Sequence, residues 1–299
     1  MNITGKTKLL GLIGWPVAHT FSPAMHNAAA AALELDLVYV PLPVPPAAVG
    51  QAVRGLVALG FLGANVTVPH KRAVIPYLDE IAPAARAIGA VNTITISRLE
   101  SQTAPESPIS PSDRGRPSGF NTDWSGFLAD LESLSVEVEG RECLLLGAGG
   151  AARAVAYALA RAGGSVTVLA RRPEQARQLL ADLQTHVPQG SLHRAAWDDL
   201  RRVSRALASP LIVNATPLGM HPHEDASPWP GEAPFPSEAI VYDLVYSPRR
   251  TKLMQQAQSA GCRASNGLGM LLQQGALAFE MWTGVRPPLE VMEEALQRK

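Results

Sequence analysis

Short apolar runs alternate with alanine-rich stretches of helical spacing through the first third of the chain. Leu9–Gly14 (LLGLIG) reads as a buried strand, 23–34 as a helix, Leu37–Leu42 (LVYVPL) as a strand and 46–59 as a second helix. Gly63–Val68 (GANVTV) follows as a strand. Two helical segments lie between Lys71 and Ile88, and Val91–Ser97 (VNTITIS) is another strand. Strand and helix taking turns predicts an α/β domain with a mostly parallel sheet. From Arg98 to Ser118 the chain turns to proline, serine and charge without large apolar residues, so a flexible excursion between two strands is expected there.

A second α/β rhythm begins with a helix over 122–134, whose Phe127, Leu131 and Leu134 share a face. Its start, Asn121-Thr122-Asp123, offers capping side chains, so the plainest role for Asp123 is a first-turn carboxylate favoured by the helix dipole. Next come the strand ECLLLG, a helix over 150–162, the strand SVTVLA, a helix over 173–183, and the strands PLIVNAT and AIVYDLV. Helices over 268–282 and 288–297 close the chain. No solenoid repeat is present.

At 299 residues the chain is long enough for two domains, each with its own core. Basic and acidic residues balance at 26 each, which argues against nucleic acid or an acidic membrane surface as a partner. Cys143 and Cys262 are far apart and lack metal-ligand spacing, so neither a zinc site nor a disulfide is expected, and buried thiols in a cytoplasmic protein are. The apolar run before Trp15 is too short to span a membrane and has no cleavage signal, so the mature chain is expected to start near Met1.

Two features carry candidate chemistry. Between Lys8 and Lys252 the only lysine is Lys71, in a stretch that otherwise uses arginine. A lysine amine can be tuned to give and take a proton where arginine cannot, although a lone solvated cation would look the same in composition. GAGGAAR, Gly147–Arg153, follows a strand and opens a helix, the setting of a dinucleotide-binding loop. Gly147 permits the tight turn, Gly149 the approach of a pyrophosphate, and Ala152 close helix packing. The next strand ends in Ala170-Arg171-Arg172 rather than the acid an NAD site offers, which favours the 2′-phosphate of NADP over NAD.

Taken in order, the motifs resemble those of the shikimate dehydrogenase family almost end to end: GWPVAHTFSPAMHN (Gly14–Asn27), NVTVPHK (Asn65–Lys71), GAVNT (Gly89–Thr93), GFNTDWSGF, GAGGAARA, NATPLGM (Asn214–Met220), DLVYSP (Asp243–Pro248) and GLGMLLQQGALAFEMWTG (Gly267–Gly284). The resemblance implies reversible hydride transfer between NADPH and 3-dehydroshikimate in aromatic amino-acid biosynthesis, with Lys71 and Asp123 as the catalytic pair. It places Thr20 and Ser22 on the substrate carboxylate, with Tyr246 on the same side. Asn65, Thr67, Asn92, Asp123 and Gln274 would read the ring hydroxyls.

On the cofactor the resemblance places Gly147, Ala148, Gly149, Gly150, Ala151, Arg171, Arg172, Thr216, Leu244 and Gly267. No metal is implied. The partner is a small-molecule substrate, and a homodimer is the assembly considered. The implied architecture has a substrate domain at 1–122 and 267–299 and a Rossmann-type NADP domain at 123–266, with Lys71 and Asp123 facing each other near the crossing.

Thr20 and Ser22 could instead cap the helix after Pro23, and Asn92 could close a turn. A polar Gln274 in an apolar helical stretch costs free energy unless it finds a partner, which favours a ligand role. Thr20-Phe21-Ser22 departs from the family's Ser-x-Ser by one methyl, which bears on shikimate against quinate preference. Three other readings are an NAD-using quinate/shikimate dehydrogenase, a non-catalytic metabolite-binding paralogue and a folate-linked dehydrogenase.

Overall fold

The computed structural model describes residues 3–97, 115–231 and 233–298. The chain divides into two compact units, Met1–Thr122 with Gln274–Lys299, and Asp123–Gln273. The expected return to the first unit at Gly267 therefore comes later, at Gln274, inside a helix.

In the first unit, β1 (Lys8–Gly14) lies between β2 (Leu37–Pro43) and β3 (Gly63–Val66), parallel to both. β5 (Thr93–Ser97) then runs antiparallel to β3 and to β6 (Arg116–Phe120), and the two-residue β4 (Glu80–Ile81) closes the order β2-β1-β3-β5-β6-β4. Three of its five pairings are parallel. The sheet's apolar runs bury Ile13, Ala64, Val66 and Ile94 with Val53 and Leu56 of α2 (Val49–Ala58). α1 (Ser22–Ala32) packs against α10 (Leu289–Gln297). α3 (Pro83–Ile88) ends on Gly89 in the left-handed conformation that favours glycine.

Two expectations change here. The excursion expected over 98–118 ends early, because Arg116–Ser118 pair with Thr95–Ser97 and Pro117 is buried; residues 98–114 lie outside the described residues. Proline is accommodated because β6 meets β5 at the strand's start, where a missing N–H costs little. Of the two helical segments expected between Lys71 and Ile88, the first is a single 3-10 turn, Ile75–Tyr77, followed by β4.

The second unit is a six-stranded sheet with every pairing parallel. It contains β7 (Glu142–Leu146), β8 (Ser165–Ala170), β9 (Leu192–Ala196), β10 (Leu211–Asn214), β11 (Ile240–Asp243) and β12 (Arg263–Asn266), in the order β12-β11-β10-β7-β8-β9. That is the doubly wound dinucleotide order, with the direction of winding reversing between β7 and β10. Near-continuous apolar strands such as CLLL and LIV suit a sheet covered on both faces, here by α4 (Asp123–Ser133), α5 (Gly150–Arg161), α6 (Pro173–Leu183), α7 (Leu200–Arg205) and α8 (Lys252–Ser259). α9 (Leu268–Thr283) runs from the second unit into the first. β9, α7, α8 and β12 have no counterpart in the sequence reading.

Cys143 and Cys262 are free and buried, and burial pushes the Cys143 thiol up to about 12. Among the described residues no helix is long and apolar enough to cross a membrane.

Candidate active site

The polar side chains of the first unit gather at the ends of β3, β5 and β6. Asn65, next to last in β3, sits opposite Thr93 in register. Its Nδ2 donates to the Asn92 carbonyl at 3.2 Å and to Thr93 Oγ1 at 3.3 Å, while its Oδ1 accepts from Tyr39 OH at 2.8 Å. Asn92 is buried. Its Oδ1 accepts the Thr122 N–H at 2.7 Å, and its Nδ2 donates to Thr122 Oγ1 at 2.9 Å and to Gln274 Oε1 at 3.1 Å. Asn65, Asn92 and Gln274 thus belong to one network that also contains Tyr39, Thr93 and Thr122, which the sequence reading did not single out. Their signal was faint, because each looks like an ordinary strand or cap residue.

Lys71 is half-buried and follows a pinned turn. His70 donates Nε2–H to the Val44 carbonyl at 2.6 Å, its backbone N–H bonds Thr67 O, and the Lys71 carbonyl accepts Val91 N–H at 2.7 Å. Thr67 donates its own N–H to Ile13 O. The backbone around Lys71 is therefore held by β1 and by the segments that follow β2 and precede β5. Thr20 and Ser22 do not cap α1: its N-cap is Phe21, with no side-chain cap, and the two hydroxyls bond each other at 3.3 Å.

His26 lies beneath this cluster, stacked on Tyr39 at 4.3 Å between ring centroids. Burial pushes its pKa down to about 3, with the Asn65 side chain pulling weakly the other way, although neither ring nitrogen has a partner in hydrogen-bonding geometry.

In the second unit Asp123 opens α4 and is buried. The Gly147 loop leaves the end of β7 at the point where the winding reverses. Gly147 has φ +113°, and a Cβ there would lie 3.0 Å from the Ala215 carbonyl oxygen. Gly149 is the N-cap of α5, and open space lies where its Cβ would be, so a phosphate can approach the amides of Gly150 and Ala151. Ala148 is half-buried against the core.

Arg171 and Arg172 are exposed at the end of β8, and Glu174, the nearest acid, is paired with Arg177. Gly267 touches backbone, since a Cβ there would sit 2.3 Å from the Leu244 carbonyl oxygen. Thr216 donates both N–H, at 2.9 Å, and Oγ1, at 2.7 Å, to Asn214 Oδ1. Tyr246 is half-buried, and burial raises its hydroxyl pKa. The buried Arg153 was also missed; its pairing with Asp182 at 2.7 Å braces α5 against α6.

A parallel sheet of this order, with a glycine loop opening a helix at the reversal and two guanidiniums at the next strand's end, defines a nicotinamide-dinucleotide-binding α/β protein. The family of that class follows from likeness. Residues 12–94 match the model described as the shikimate dehydrogenase substrate binding domain, and 267–297 the shikimate 5′-dehydrogenase C-terminal domain. The chain is 45% identical to the shikimate dehydrogenase (NADP(+)) of Carboxydothermus hydrogenoformans over 99% of both chains.

Among solved structures, it is 38% identical to shikimate 5-dehydrogenase of Thermus thermophilus in complex with NADP(H) and shikimate, with TM-score 0.81 over 97% of this chain and 99% of that one. It is 30% identical to a quinate dehydrogenase of Corynebacterium glutamicum in complex with NAD, with TM-score 0.85 over 98% of this chain and 99% of that one. The chain belongs to the shikimate dehydrogenase family.

Proposed function

We propose that this chain catalyses the NADPH-dependent, reversible reduction of 3-dehydroshikimate to shikimate, with Lys71 and Asp123 handling the proton. The observation that carries the reading is family membership, established along 99% of the chain. NADPH, when bound, supplies the hydride. The Gly147 loop, the α5 amides and the Arg171–Arg172 pair are the groups that would hold its phosphates.

Reduction of a ketone leaves charge on its oxygen. The Lys71 ammonium would stabilise that charge and deliver a proton to the oxygen, while Asp123 orients the amine and binds the same hydroxyl. Thr20, Ser22 and Tyr246 are assigned to the carboxylate. Thr67, Asn92 and Gln274 are assigned to the ring hydroxyls, and Thr216, Leu244 and Gly267 to the nicotinamide side. Because both Nδ2 hydrogens of Asn65 have acceptors within the protein, its assigned contact with substrate would be made through Oδ1.

Initial rates with 3-dehydroshikimate and 3-dehydroquinate, each with NADPH and NADH, test the proposal. The highest catalytic efficiency is expected for 3-dehydroshikimate with NADPH. A preference for NADH or for 3-dehydroquinate would favour the quinate-type reading, and no turnover with any pair would favour a metabolite-binding role.

A further inference from the structure

Asp243 is fully buried at the end of β11, directly opposite Asn214 in the register of β10. Its Oδ1 accepts from Asn214 Nδ2 at 2.8 Å and from the Val245 N–H at 3.1 Å, and its Oδ2 accepts from Thr251 Oγ1 at 2.7 Å. A buried carboxylate satisfied by neutral donors is costly, and burial pushes its pKa up to about 6. An apolar residue would fill this strand end at lower cost, so the carboxylate needs a reason.

The bonds supply one. The Thr216 N–H can only donate, so Asn214 must turn its Oδ1 toward Thr216 and its Nδ2 away. Nδ2 then needs an acceptor, and Asp243 is that acceptor, with the Leu218 carbonyl more distant at 3.3 Å. The turn thus fixed, Asn214–Gly219, carries Thr216 and approaches the glycine loop at Ala215 and Gly147. We propose that Asp243 is a positioning residue for NADP(H) binding, acting through the Asn214 amide to hold the Thr216 turn against the Gly147 loop. The inference rests on the NADP assignment made above.

Asp243→Asn and Asp243→Ala separate positioning from simple packing. In the asparagine variant the side-chain oxygen still accepts from Asn214 and Val245, and the amide donates to Thr251 Oγ1. In the alanine variant Asn214 loses its acceptor and is free to rotate. NADPH affinity, followed by nucleotide fluorescence at pH 7.5, is expected to stay within about twofold of wild type for Asp243→Asn and to weaken about tenfold or more for Asp243→Ala, with the KM for shikimate unchanged in both.

Asn214→Ala breaks the same relay from its other end and serves if Asp243→Ala does not fold. The double variant is expected to cost no more than the worse single one. Wild-type affinity in the alanine variants, or an equal loss in Asp243→Asn and Asp243→Ala, overturns the inference alone. Wild-type protein that binds no NADPH overturns the NADP assignment, and this inference with it.

Discussion

Asn92 accepts the backbone N–H of Thr122 on its Oδ1 at 2.7 Å, and that one bond sets the direction of two buried amides. A backbone N–H cannot accept, so the Asn92 Nδ2 must face the other way. It meets Gln274 Oε1 there, which fixes the Gln274 oxygen as the acceptor and its Nε2 as the donor end of that amide. The same bond holds Thr122, the residue that immediately precedes Asp123.

Gln274→Glu tests that direction. The new carboxylate can still accept from Asn92 but no longer donates, and it adds a charge in a buried place. The KM for shikimate is expected to rise about tenfold or more while the KM for NADP stays near wild type. Steady-state kinetics with each substrate varied in turn is the check.

Arg171 and Arg172 are assigned to the 2′-phosphate. Replacing both with alanine is expected to raise the KM for NADPH about tenfold or more and to leave that for NADH within about twofold, because NADH has no group for them to pair. The measurement is the ratio of the two efficiencies before and after the change.

Gly267→Ala places a methyl carbon 2.3 Å from the Leu244 carbonyl oxygen, so backbone must move. A cost of about 1–3 kcal/mol is expected, read as a lower Tm together with weaker NADPH binding. Gly55→Ala, inside α2 with open space around it, is the control and is expected to hold or raise the Tm.

Two buried groups give the stability opposite responses to acid. His26, lowered from 6.5 to about 3, stays neutral in the folded protein while the unfolded chain takes up a proton, so its contribution to stability is lost as pH falls from 6.5 toward 3. Asp243, raised from 3.8 to about 6, is protonated in the folded protein first, so its contribution is present at low pH and lost as pH rises from 3.8 to 6; the raised Asp130 acts in the same sense. His26→Leu is therefore expected to lose less Tm than wild type between pH 6.5 and 4.5, as scanning calorimetry would record. An unchanged pH slope would remove His26 from this account.

The sequence revealed the alternating elements and the glycine loop well, because apolar periodicity and φ-permissive residues are local signals. Its misses share a physical cause. β9 and β12 are short outer strands, LHRAA and RASN, with little apolar character, so only the sheet beside them marks them as strands. Pro117 argued for loop where β6 begins, and the pairing with β5 outweighed it.

For the site, motifs singled out Asn65, Asn92 and Gln274, but not that they bond one another. That depends on β3, β5 and α9 meeting in space. Asp243 and Asn214 stood in quoted motifs without roles, since their meaning lies in the register that sets one beside the other.

The central claim is that this chain reduces 3-dehydroshikimate with NADPH and uses Lys71 to supply the proton. It is tested most directly by initial rates of Lys71→Met beside wild type, with shikimate affinity measured on both proteins. Wild type is expected to turn over, and the variant to lose about 10²–10⁴-fold in kcat while binding shikimate nearly as well. Wild type without activity, or a variant that keeps its kcat and loses shikimate affinity, would contradict it.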